Sequence, residues 1–193
     1  MTATGESTDR ELLRAYVDAR DVDSLGTFVN RYQEPLLRFA SKFLKDGEAA
    51  QDVVQETFLT VARNPRRLLD VESCHNWLLR VARNIGITHL RRGARLKRHA
   101  TSIGERAAGE AAERERREAD VLEREESHAR VRAEIDRLSP RHRELILLKV
   151  EEGKSYREIA EITGLSVTNV GYLLHTAMKT LSQRLRNAKE ELL

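Results

Sequence analysis

Apolar residues recur at three- and four-residue spacing along most of this chain, and strict alternation is scarce. Residues at i, i+3, i+4 and i+7 share one face of a helix, so the pattern predicts an all-α protein. Thr8 and Glu11 have the form of a capping box ahead of Leu12, Leu13, Tyr16 and Val17. Ser24 is placed to cap a second helix carrying Leu25, Phe28, Val29 and Tyr32. Pro35 either kinks that helix or opens a new one, in which Leu36, Leu37, Phe39, Ala40 and Phe43 continue the stripe. Asp46–Gly47 reads as a turn, and a helix over Ala49–Arg63 with Val53, Val54, Thr57, Phe58 and Val61 on one face stops at Asn64–Pro65. Leu68–Cys74 reads as a loop or short turn. Ser73 then caps a helix with Trp77, Leu78, Val81, Ala82, Ile85 and Leu90 at helical spacing.

The pattern lapses over 100–128. Gly104, Gly109 and alanines lie among dense glutamates and arginines, and large apolar side chains almost vanish between Ile103 and Val121. Such a stretch cannot bury a core, so a flexible charged linker is expected there, between helical domains at 8–99 and 129–193. From Ala129 the helical period returns. Ser139–Pro140 starts a helix with Leu145, Ile146, Leu148 and Val150, and Gly153 stops it. Ser155 with Glu158 is a second capping box, leading Ile159, Ala160 and Ile162 to Gly164. Ser166 caps a last helix with Val167, Val170, Leu173, Leu174, Ala177, Met178 and Leu181.

Residues 155–170 fit a helix-turn-helix. Ala160 is small where two helices cross, and Gly164 supplies the left-handed backbone of the turn. Leu165 plugs the angle between the helices, and Val170 packs the second helix back on the first. Thr168, Asn169, Tyr172 and His175 then face outward, and the amino end of their helix suits a major groove. Asn bonds adenine bidentately and a Thr methyl meets thymine, whereas Arg157 and Lys179 suit phosphates. An ordinary packing hairpin is the competing reading. With Ser166 included, the DNA-facing set at this end is Arg157, Ser166, Thr168, Asn169, Tyr172, His175 and Lys179.

Charge sharpens this picture only when divided along the 193 residues. The formal net charge is +3. Residues 1–99 hold 17 basic and 13 acidic side chains, 100–133 hold 7 and 9, and 134–193 hold 10 and 9. No acid lies between Glu72 and Glu105, a window containing Arg80, Arg83, Arg91, Arg92, Arg95, Lys97 and Arg98. A second acid-free window, from Glu161 to Glu190, contains Lys179, Arg184, Arg186 and Lys189. Two basic stretches suggest a polyanion held at two places, with solvated helix faces as the alternative.

Several classes are excluded. There is no phosphate-binding glycine loop and no serine-centred nucleophile motif, so an enzyme is not expected. The six histidines lack metal-ligand spacing, and no cofactor is expected. Cys74, the single cysteine, reads as a buried free thiol. No run of about 20 apolar residues exists, so no membrane insertion is expected. The polar start of the chain has no signal-peptide pattern, which points to a cytoplasmic protein.

The motifs together resemble the extracytoplasmic-function class of bacterial RNA polymerase sigma factors, over about residues 10–98 and 130–187. Asp52–Phe58 resembles the family's polymerase-binding motif. Trp77–Asn84, with Arg91 and Arg92, resembles the helix that engages the promoter element near minus ten. Leu138–Leu145 with the helix-turn-helix resembles the domain that reads the element near minus thirty-five. The resemblance implies two helical domains, promoter-specific initiation with core RNA polymerase, and contact with promoter DNA. Asp52, Gln55 and Glu56 would form the polymerase-binding face, with Val53, Val54 and Phe58 inward. The minus-ten set would be His75, Asn76, Arg80, Arg83, Asn84, Arg91 and Arg92. His75 and Asn76 are the candidates, in the loop 68–76, for capturing a base flipped from the strand. Trp77 either stacks on DNA or packs in the core. Members of the class are often held by an anti-sigma factor, so such a partner is implied. Thr88 stands where relatives commonly carry aspartate, Thr176 where they often carry arginine, and Gly86 interrupts its helix at a cost of about 1 kcal/mol. The alternatives are a stand-alone helix-turn-helix regulator binding an operator as a dimer, and a helical adaptor that binds no DNA.

Overall fold

A computed structural model of the protein describes residues 7–99 and 129–190, all of whose regular elements are helical. The expected linker at 100–128 lies outside the described residues, as do the side chains of Arg95, Lys97, Arg98 and Lys189.

The first group of helices is α1 (Asp9–Ala19), α2 (Val22–Leu44), α3 (Gly47–Arg63), α4 (Arg66–Leu69) and α5 (Cys74–His99). Thr8 and Glu11 form the expected capping box, and α1 ends at Arg20 in the left-handed region, φ 56°. The cap of α2 is Asp21 rather than Ser24. Its carboxylate accepts the Asp23 and Ser24 amides at 3.1 and 3.4 Å and the Ser24 hydroxyl at 2.5 Å. An anion at a helix amino end gains from the helix dipole as well as from the amides, so it outcompetes a hydroxyl three residues on. Pro35 lies within α2, a single helix of 23 residues. Lys45, at φ 60°, ends it, and Asp46 caps α3 through the Ala49 amide at 3.1 Å. The Leu68–Cys74 segment begins in the single turn of α4, and Ser73 accepts the Asn76 amide at 3.2 Å to start α5.

Gly86 does not interrupt α5. A Cβ there would sit 3.1 Å from Phe43 Cε1 and 3.3 Å from Leu44 Cδ2. The helix-propensity loss therefore accompanies a close crossing of α5 on α2. In the core of this group Leu13, Phe28, Leu36, Phe39, Leu68, Leu78 and Leu79 are fully enclosed. The Phe39 and Phe43 rings stack with centroids 5.8 Å apart.

The second group begins with α6, residues 129–136, and continues with α7 (Pro140–Ile146), a wider π turn (Leu147–Glu151), α8 (Tyr156–Thr163) and α9 (Val167–Glu190). Ser139 accepts the His142 amide, with Pro140 in the first turn as expected. The π turn was not expected. Leu145, Ile146, Leu147 and Leu148 are all buried, which is more than one face of a regular 3.6-residue helix can enclose. Widening the last turn accommodates the run. Gly153 follows at φ 64°.

The two groups are docked on each other. α8 lies against α5, while α7 and the π turn lie against α2. Buried side chains of both groups form one continuous apolar cluster. Among the described residues no helix is long and apolar enough to cross a membrane.

Candidate functional site

The helix-turn-helix is built as its residues predict. Ser155 and Glu158 close a reciprocal capping box, and Gly164 takes φ 71°. Ala160 and Val170 are buried at the crossing, and Leu165 packs half-buried against the core. This fixes the rotation of α9. Ser166, Thr168, Asn169, Tyr172, His175 and Lys179 are all exposed, as is Arg157 on α8. Ser166 accepts the Asn169 amide at 3.2 Å, so it caps the helix whose first turn carries the outward side chains. Thr176 is half-buried and donates its hydroxyl to the Tyr172 carbonyl at 3.0 Å. It is thereby turned onto its own helix, away from any phosphate.

The face of α5 is different. Arg80, Asn84, Arg91 and Arg92 are exposed along it. Arg83 is buried and ion-paired, through its Nε, with Glu144 of α7. Its Nη1 donates to Asn84 Oδ1 at 3.0 Å. Burial pushes the Glu144 carboxyl above its ordinary range, and the Arg83 charge opposes that shift. Thr88 donates to the Asn84 carbonyl at 3.1 Å, another hydroxyl folded back on its helix.

The first turn of α5 is half-buried against the second group. Asn76 Nδ2 donates to Glu158 Oε1 at 3.1 Å, while Glu158 Oε2 accepts the Ser155 amide at 2.8 Å. The Ser155 amide first, then the Asn76 amide, hold the Glu158 carboxyl down at about 2. Asn76 Oδ1 is buried without a partner. His75 Nδ1 lies 3.3 Å from Lys154 Nζ. Its Nε2 lies 3.3 Å from Glu152 Oε2, near enough for an ion pair but outside hydrogen-bond alignment. Trp77 is half-buried against the core, and it also walls a cleft of about 470 Å³ between the groups. Asn76, Arg80, Arg157 and Glu158 line the same cleft. Both readings of Trp77 therefore find a surface. Cys74 is a half-buried free thiol, pushed up to about 11 mainly by burial.

On α3, Asp52, Gln55 and Glu56 are exposed on one face. Val53 and Val54 are buried and Phe58 is half-buried, as the spacing predicts. Beside that face runs an open groove of about 420 Å³ whose walls include Leu25, Val29, Leu37, Val54, Phe58 and Leu59. Leu59 is 46% exposed, large for an apolar side chain. Sequence reasoning missed it because it falls outside the inward stripe, which is itself the signal that could have found it.

Sequence reasoning also missed Glu144 and Glu158 as partners of Arg83 and Asn76. Their separations, 61 and 82 residues, leave no local signal. Among the described residues no three His, Cys, Asp or Glu side chains converge in a way that could hold a metal.

Comparison with known proteins agrees with this geometry. Residues 28–96 match sigma-70 region 2, and residues 128–181 match sigma-70 region 4. The RNA polymerase sigma factor YlaC of Bacillus subtilis is 26% identical over 169 residues, covering 88% of this chain and 96% of its own. The ECF RNA polymerase sigma factor SigX of the same organism is 22% identical over 162 residues, covering 84% of each. The fold matches the sigma factor RpoE of Bartonella quintana, solved with the anti-sigma factor NepR. The TM-score is 0.66 at 19% identity, over 83% of this chain and 96% of that one. With region 2 supplying α2 to α5 and region 4 supplying the helix-turn-helix, the chain belongs to the extracytoplasmic-function type of the sigma-70 family of RNA polymerase sigma factors.

Proposed function

We propose that the chain directs core polymerase to its promoters through three surfaces with separate tasks. The exposed face of Asp52, Gln55 and Glu56, with the apolar groove beside it, docks on the polymerase. The α5 face, with His75, Asn76, Arg80, Arg83, Asn84, Arg91 and Arg92, takes the minus-ten element. Thr168, Asn169, Tyr172 and His175 read the minus-thirty-five element, while Arg157, Ser166 and Lys179 grip its backbone. The domain borders follow the same division, 8–99 and 129–193, with 100–128 between them.

The observation that carries this reading is the coexistence of two unlike surfaces on one chain. An exposed reading helix is what DNA requires. An acidic and amide face beside an apolar groove suits a protein partner rather than a polyanion. A stand-alone operator regulator has no use for the second. The protein works in the cytoplasm, where polymerase and promoters are. The anti-sigma complex of the RpoE relative supports a partner of that kind here.

Reconstitution with core polymerase tests the reading. Promoter-specific transcripts that appear only when this chain is added are expected. Absence of any association, with dimeric operator binding in its place, overturns it. Asp52→Arg with Glu56→Arg is expected to weaken polymerase association at least about tenfold while leaving the helical content unchanged, since each charge reversal at a docked face costs on the order of 1 kcal/mol or more. Unchanged affinity removes this face from the interface.

A further inference from the structure

The amino end of α9 carries no cation. Between Arg157 on α8 and Lys179 the chain has neither lysine nor arginine. Ser166, Val167, Thr168 and Asn169 are exposed in succession there. The Ser166 hydroxyl is occupied by the cap, accepting the Asn169 amide at 3.2 Å, so three side chains are left to meet DNA. One of them, Val167, is 49% exposed, and the apolar crossing at Ala160 and Val170 closes without it. Successive residues fan about 100° apart around a helix, so a helix that enters a groove amino end first presents all three.

Gly171, one turn further on, points the same way. Glycine weakens a helix interior, and packing does not demand it here. A Cβ at 171 would meet only the Tyr156 ring, at 3.6 Å, an ordinary contact, whereas at Gly86 it would press on Phe43 at 3.1 Å. The missing side chain at 171 instead lets the α9 backbone come close to a base edge.

We infer that this tip selects a run of A·T pairs, with Val167 and Thr168 on thymine methyls and Asn169 on adenine. The inference rests on the promoter reading above and adds the base composition of its upstream element and a further specificity residue, Val167.

The selection follows from the groups available. In the major groove thymine shows a C5 methyl, adenine an N7 acceptor beside an N6 donor, and guanine two acceptors, N7 and O6. The methyls of Val167 and Thr168 match the first, and the Asn169 amide, donor and acceptor together, matches the second. Guanine is best met by a lysine or arginine, and the tip has neither. Thr176 adds no donor, because its hydroxyl is given to the Tyr172 carbonyl at 3.0 Å. Tyr172 and His175, further along the helix, each bring one donor to a base edge. One donor on N7 does not separate adenine from guanine, since both carry that acceptor. Arg157 and Lys179 flank the tip and hold phosphates, which positions the helix without choosing bases.

The full chain with core polymerase tests this. From promoters randomised across the upstream element, the templates that initiate are expected to share a run of A·T pairs. A run whose strongest positions are G·C pairs overturns the inference. Within the selected element, single thymines are then replaced by uracil, which lacks only the methyl. Competition binding of the wild-type holoenzyme is expected to weaken about three- to fourfold at two thymines, the effect of one methyl group at each. Val167→Ser is expected to erase the penalty at one of them and Thr168→Ser at the other. Both positions are exposed, so an unchanged unfolding midpoint serves as the control for the fold. Loss of sensitivity to a single methyl is a readout that a merely structural role would not move. No uracil penalty in the wild type, or penalties that persist in both variants, overturns the assignment of Val167 and Thr168.

If the wild-type chain yields no promoter-specific initiation with core polymerase, the promoter reading itself fails. If it initiates from a G·C-led element, or with no methyl dependence, the A·T inference fails and the promoter reading stands.

Discussion

α5 and α9 both carry long basic stretches without a nearby acid in sequence, yet they meet the rest of the molecule in opposite ways. On α9 the outward residues Thr168, Asn169, Tyr172, His175 and Lys179 stand in solvent. On α5 the first turn is half-buried and Arg83 is buried against Glu144, while Arg80, Asn84, Arg91 and Arg92 stay exposed. The difference lies in the company each helix keeps. α9 turns its apolar side, through Val170, Leu174, Ala177 and Leu181, to its own group. α5 has one side in its own core and another against α8. A basic helix is thus available to a polyanion only where no acidic element of the same chain reaches it first.

The contrast can be broken at its strongest point. Glu144→Ala leaves the Arg83 guanidinium without a counter-charge. Keeping it buried in that state costs about 3–5 kcal/mol, so the groups are expected to separate instead. Hydrogen exchange that quickens around Arg83 and α7, with the central amides of both cores still protected, is the check. Unchanged protection would mean the pair contributes little.

Sequence choice should depend on the open helix. Asn169→Ala is expected to relax preference at one base position by about 1–3 kcal/mol. Lys179→Ala instead weakens binding evenly across sequences and lowers the salt slope by about one. Transcript profiles indifferent to Asn169 would remove its base contact.

The scaffold of the reading helix offers a smaller effect. Ser155→Ala removes the hydroxyl that accepts the Glu158 amide, at 3.2 Å, and costs about 1 kcal/mol in chemical denaturation. It should also loosen Glu158, and with it the Asn76 contact of α5.

The smallest effect is in pH. Glu158 is lowered from 4.5 to about 2 by the Ser155 amide and then by Asn76. A depressed carboxyl contributes stability that is complete above its unfolded value and is lost as pH falls through the folded one. The contribution therefore fades between pH 4.5 and about 2. Its sign is tested by Glu158→Gln, which should flatten the stability profile in that window relative to wild type. Identical profiles would mean that the carboxylate contacts carry no linkage.

Most local signals are legible where a short span decides the outcome. Both capping boxes, the Ser139–Pro140 start and the left-handed Gly164 involve residues within five positions, and the structure has all of them. Ser24 failed as a cap because Asp21, three residues earlier, is the stronger acceptor. The π turn is not legible, because Leu145, Ile146, Leu148 and Val150 read as an ordinary helix stripe, whereas Leu147 is buried and Val150 is exposed. Gly86 was legible only as a cost, since Phe43 and Leu44, which explain it, arrive from another helix.

The sequence by itself determined the helices, the outward face of α9 and the acidic face of α3. Each follows from a period of 3.6 residues and from caps only a few bonds away. Tertiary structure alone decided that Arg83 and Asn76 face carboxylates of the second group. Those partners lie 61 and 82 residues along the chain, and only the docking of α7 and α8 brings them within bonding distance.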